Sequence, residues 1–80
     1  MRIRLTRHAE ERLRERGISL EEVKVCIQNP DYTEESRGAL RCWKRMGDKY
    51  IVVVYRVECN QWIVITAYKT SRRPRLPGRQ

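Results

Sequence analysis

No stretch of this chain approaches the roughly 18 consecutive apolar residues that a membrane-spanning helix needs. The opening Met1-Arg2-Ile3-Arg4-Leu5 also lacks the apolar segment of a secretory signal, so a cytoplasmic address is expected. Cysteine is scarce and odd in number. Cys26, Cys42 and Cys59 match neither CxxC nor the spacing of a zinc knuckle, which argues against both a disulfide framework and a structural metal site. They read as reduced thiols that fill small apolar gaps in a helix and in strands. The sequence holds one histidine, no Gly-rich phosphate loop and no HxxxH pair. Its paired acids, Glu21-Glu22 and Glu34-Glu35, are better explained as a helix cap and a solvated loop than as a carboxylate site. A metal-dependent mechanism is therefore disfavoured, and no cofactor is implied.

Acids are also few: 10 against 18 lysines and arginines, for a formal charge of +8. Five of the cations and none of the acids fall within residues 69–80, which leaves +3 for residues 1–68. An excess of this sign favours polyanions, because each phosphate neutralised releases condensed counterions whatever the base sequence. Nucleic acid is the first expectation, ahead of anionic lipid or an acidic protein. Eighty residues make one domain with a thin core.

Two grammars divide the chain. Ile3 to Leu5 is a short alternating stub that suits an edge strand. Thr6 is placed to cap a helix over Arg7 to Arg16, and Gly17 supplies the left-handed residue that closes it. Ser19-Leu20-Glu21-Glu22 has the form of a capping box, with Leu20, Val23 and Ile27 as the apolar stripe of a second helix that Asn29-Pro30 ends. After Pro30 the pattern turns to period two and to β-branched and aromatic residues. Ala39 to Met46, Tyr50 to Val57 and Trp62 to Tyr68 then read as an antiparallel meander, while Asp31 to Arg37 is either a loop or a twisted edge strand. The expected fold is α+β, two N-terminal helices on a three- to four-stranded antiparallel sheet in the order (β)ααβββ. The domain would span residues 1–69, followed by a basic tail over 70–80 that is disordered until it meets an anion.

Two basic groups stand out. His8, Arg12 and Arg16 recur every four residues along one strip of the first helix, where like charges normally destabilise. The strip makes sense opposite a phosphate or a sheet residue, or with Glu11 and Glu15 softening it from the flanks. Arg41, Lys44, Arg45 and Arg56 are interleaved with Trp43, Tyr50, Tyr55, Trp62 and Tyr68 in the strands. Cations for phosphates and aromatic faces for splayed bases suit single-stranded RNA. The plainer account is core packing by the aromatics and solvated edge charge.

The words Leu5-Thr6-Arg7-His8-Ala9-Glu10-Glu11-Arg12-Leu13, Arg16-Gly17-Ile18-Ser19-Leu20-Glu21-Glu22-Val23 and Asn29-Pro30 resemble a small prokaryotic family catalogued as a domain of unknown function. Its opening reads T-x-H-A-x-x-R-x-x-x-R-G-I-S and its close is a strand like Ile63-Val64-Ile65-Thr66; the likeness spans residues 3–69. That family in turn resembles the RelE and ParE toxins, which share the (β)ααβββ order and include both endoribonucleases and non-nucleases. The resemblance implies a fold more than a reaction. In the nucleases, basic side chains on the sheet hold the phosphate and a late-strand tyrosine or histidine moves protons. By strand position alone, Arg41, Arg56 and Tyr68 are the nearest equivalents. The only histidine here lies on the first helix instead.

Two functions follow as expectations. One is a toxin-like, metal-independent endoribonuclease or ribosome-directed RNA binder, with His8 or Tyr68 moving protons and Arg12, Arg41 and Arg56 stabilising charge. Arg16, Trp43, Lys44, Arg45 and the tail cations Lys69, Arg72, Arg73 and Arg75 would hold the RNA. The alternative is a non-catalytic nucleic-acid or protein-interaction module of the same fold. Expected partners are RNA, an acidic antitoxin-like protein and a second copy paired through a strand edge. Both readings assume that cations of the first helix and of the strands converge on one surface.

Overall fold

A computed structural model describes residues 2–72. Its elements run β1 (Arg2–Leu5), α1 (Arg7–Arg16), α2 (Leu20–Gln28), β2 (Tyr32–Ser36), β3 (Ala39–Met46), β4 (Lys49–Glu58) and β5 (Gln61–Thr70). The caps stand where the residue types put them. Thr6 Oγ1 accepts the Ala9 N–H at 3.0 Å. Gly17, at φ +64°, lets the Ile18 N–H return to the Leu13 carbonyl at 2.9 Å. At the second helix the Glu22 N–H donates to Ser19 Oγ at 3.1 Å, and the Ser19 N–H donates to Glu22 Oε1 at 2.9 Å.

The sheet has five strands, not three or four, in the order β1-β5-β4-β3-β2. β2 to β5 form an antiparallel meander, whereas β1 lies parallel to β5, with Leu5 beside Val64. The expected all-antiparallel sheet is corrected on this point. A four-residue stub cannot announce a pairing with a strand almost 60 residues on, because the pairing is made by tertiary packing and not by local pattern. The second added strand, Tyr32–Ser36, resolves the open choice at Asp31 to Arg37 in favour of an edge strand. Its hairpin to β3 turns through Arg37 and Gly38, both at positive φ, the backbone that matches strand twist in a two-residue turn.

Alternation sorts the strand residues onto two faces. One face carries Ile3 and Leu5, Leu40, Cys42 and Met46, Ile51, Val53 and Tyr55, and Trp62, Val64 and Ala67, on which both helices pack. From α1 come Ala9 and Leu13, and from α2 Val23, Cys26 and Ile27, with Ile18 between them. Each of the leucine, isoleucine and valine side chains contributes roughly 1.5–3 kcal/mol by leaving water. Leu20, expected in the α2 stripe, is 45% exposed in the first turn, and Cys26 takes its place in the core.

Candidate nucleic-acid interface

The helices cover one side of the sheet and leave the other bare. Two buried residues, Trp43 and Val52, stand outside the helix-side core, and register explains why: they pair with each other on the bare side. Successive cross-strand rows on this face can be read from the pairing. Arg2, Gln61 and Glu58 form the first, Arg4, Ile63 and Arg56 the second, and Thr66, Val54, Arg41 and Glu34 the third. Tyr68, Val52, Trp43 and Tyr32 form the fourth, and Thr70, Tyr50 and Arg45 the fifth. A bulge between Val54 and Tyr55 keeps both ends of the β4–β5 ladder in phase with these faces.

Five arginines therefore project from one surface around a central aromatic and aliphatic row. All five are exposed. Arg41 is 3.5 Å from Glu34, and Arg56 is 3.8 Å from Glu58. These are solvated pairs of the kind worth about 1 kcal/mol or less, weak enough to exchange for phosphate. Arg45 donates from Nε to the Gly47 carbonyl at 3.2 Å, which holds its stem across the β3–β4 turn.

Trp43 does not offer its ring to a base. It is 7% exposed, with Tyr32 tilted against it at a 5.4 Å centroid separation and the Arg41 guanidinium 5.9 Å from its ring centre. It serves as the floor of the face and orients Arg41 by a cation–π contact. Tyr50 and Tyr68 are half-buried on the same face. The Tyr32 hydroxyl is shielded and has no hydrogen-bond partner among the described residues, and burial first, then the Glu34 charge, pushes its phenol above the ordinary tyrosine range. Tyr32 was missed by the sequence reading. Its alternation partner across the edge, Trp43, was the available signal.

The other expected residues lie elsewhere. α1 packs on the helix side of β5 and β1, so His8, Arg12 and Arg16 are separated from Arg41, Arg45, Arg56 and Tyr68 by the thickness of the sheet. The assumed convergence of helix and strand cations is thereby corrected: Ala9 and Leu13 anchor α1 to the covered face, and its charged strip stays on that side of the sheet. The strip has local partners. Arg12 Nη1 bonds Glu15 at 2.9 Å, and Arg16 Nη1 donates to the Ala67 carbonyl at 2.8 Å. Lys44 and Lys69 both sit in register with Ile51 and so belong to the helix side, where Lys44 pairs with Asp31 at 3.6 Å. Trp62 and Tyr55 likewise face the helices. Arg72 follows the end of β5 with its N–H on Thr70 Oγ1, while Arg73 and Arg75 lie outside the described residues.

Among the described residues, no group of three or more His, Cys, Asp or Glu side chains gathers as metal ligands would. No described helix is long and apolar enough to cross a membrane. A family model for a domain of unknown function, DUF4258, matches residues 5–69. No curated protein and no solved structure matches the chain.

Proposed function

We propose that this chain, which belongs to the DUF4258 family, is a nucleic-acid-binding module that receives single-stranded RNA on the bare face of its sheet. One observation carries the reading: strand register gathers Arg2, Arg4, Arg41, Arg45 and Arg56 with Tyr50 and Tyr68 on the side that neither described helix covers. Against those five cations stand Glu34 and Glu58, so the surface keeps a net positive charge. A flat face with flanking cations suits a splayed strand, whose phosphates meet arginine while its bases lie on tyrosine. A duplex would offer such a face its backbone but not its bases.

The test is affinity for a short single-stranded RNA as a function of salt, for the wild type and for Arg41→Ala and Arg56→Ala. Each variant is expected to weaken binding and to flatten the slope of log affinity against log salt by about 0.7, the value for one lost phosphate contact on a single strand. Unchanged affinity and slope in both variants would sink the reading.

A narrower alternative, a metal-independent endoribonuclease akin to the RelE and ParE toxins, is favoured by the position of Tyr68, which shares a face with Arg41 and Arg56. In that case the phenol handles the proton and the guanidiniums neutralise the phosphorane. An acidic antitoxin-like protein would then act by covering the same arginines. Expression in a bacterial host decides it. Growth arrest with RNA cleavage, lost in Tyr68→Phe, supports the nuclease. Intact RNA with and without ribosomes leaves the binding module.

A further inference from the structure

Behind β3, on the side away from the arginine face, two thiols meet in the core. Cys26 of α2 and Cys42 of β3 are both fully buried, and their sulfurs are 3.3 Å apart. The Cys26 thiol also lies within hydrogen-bonding reach of the Cys42 carbonyl at 3.4 Å and the Ile51 carbonyl at 3.5 Å. Among the described residues, these are the only hydrogen bonds that join α2 to the sheet. The core at this point holds two groups able to form a covalent bond to each other. Cys59, in the β4–β5 turn, is exposed and distant from both in the fold.

We propose that Cys26 and Cys42 form a dithiol modification site that low-molecular-mass disulfides oxidise reversibly, fastening α2 to β3. The sulfurs need to close by a little over 1 Å to reach the bonded distance of about 2.05 Å. Either thiol can donate in this contact; with the Cys26 S–H turned to the Cys42 sulfur, that bond lowers the proton affinity of Cys42 and makes it the first nucleophile. The Cys42 thiolate attacks one sulfur of the reagent, expelling the first reagent thiolate and leaving a mixed disulfide. Cys26, losing its proton, then attacks the Cys42 sulfur and expels the second. The protein loses two electrons and two protons, and the reagent disulfide becomes two thiols. Because both sulfurs are out of solvent, entry of the reagent requires α2 to lift from the sheet, so the rate reports local opening of that helix.

The experiment uses the full chain with Cys59→Ser, incubated under native conditions in glutathione buffers of increasing oxidised fraction. The expected product is a monomer lighter by two hydrogen atoms, whose digest links the Cys26 and Cys42 peptides only before reduction. Closing this loop of about 15 residues should raise the melting temperature by ~15 °C. Cys26→Ala and Cys42→Ala, each also carrying Cys59→Ser, should give neither the mass loss nor the shift. Thiols that both remain free for alkylation after native incubation, or a linked product that appears only in denaturant, would overturn the proposal. The disulfide assay needs no RNA and so stands or falls apart from the binding reading.

Discussion

The two sides of the sheet are made from the same strands, residue by residue, yet they obey different rules. On β4, Ile51, Val53 and Tyr55 face the helices and are buried, while Tyr50, Val54 and Arg56 face away and are half-buried or exposed. On β3, Cys42 touches α2 and its neighbours Arg41 and Trp43 look outward. The covered side is built mainly of buried apolar residues, and burial explains most of its composition. Burial does not explain the bare side, where an exposed arginine contributes little to stability. Under the proposed reading the covered face supplies stability and the bare face recognition, and substitutions can test that division directly.

The largest effect should come from placing the same charge on each side in turn. Val53→Asp puts an unpaired carboxylate into a fully buried site, at a cost of more than about 4 kcal/mol. For a domain of this size that is most of the available stability. The circular-dichroism melt should lose its cooperative transition. Val54→Asp, one residue along and on the bare side, is expected to cost only ~1 kcal/mol and to keep the transition. Equal losses would erase the distinction. Next in size, the double variant Arg41→Ala with Arg56→Ala should lower single-stranded RNA affinity by ~100-fold, taking about 1.4 kcal/mol for each charged contact. Its melting curve should stay within error of the wild type.

A smaller effect is read by pH. Burial, followed by the nearby Cys42 and Cys26 thiols, holds the Tyr55 phenol on the covered face above its ordinary value near 10. The unfolded chain therefore ionises first as pH rises. Stability from the neutral phenol is complete below pH 10 or so, and is lost as pH climbs from that unfolded value through the raised native one. Urea midpoints measured from pH 8 to 11.5 should fall more steeply for the wild type than for Tyr55→Phe. Tyr32 on the bare face is also raised, so Tyr32→Phe should remove part of the remaining slope.

Local chemistry made much of this fold legible. Thr6, Gly17, Ser19 with Glu22, and Asn29-Pro30 bracket both helices because caps act within a few residues of themselves. Ala39 to Met46 is bounded as its alternation predicts, and β4 and β5 run one to two residues longer than their apolar cores at the ends described. What depended on distant pairing was not legible. β1 finds its partner in β5, and Tyr32–Ser36, polar and acid-rich, becomes a strand only because β3 offers it a ladder. The site was half visible for the same reason. Period two put Arg41, Trp43 and Arg45 on one side of β3, but nothing local says which side the helices will cover. The tight packing of Tyr32 against Trp43, which removes that ring from the surface, is likewise a product of the folded sheet.

The smallest expected effect bears most sharply on the contrast. His8 is the only imidazole in the chain and the residue type best suited to proton transfer at neutral pH. Helix α1 nevertheless carries it on the side away from the arginine face. His8→Ala should leave single-stranded RNA affinity unchanged within twofold, and the salt slope with it. It should also leave any RNA cleavage as it is, because a proton donor separated from the phosphate by a packed sheet has no path to it. If His8→Ala instead weakens binding or cleavage as much as Arg56→Ala does, RNA must wrap the β1 edge and touch both sides. Recognition would then belong to that edge and not to a face, and Arg4→Ala, on β1 itself, should be the more damaging arginine substitution.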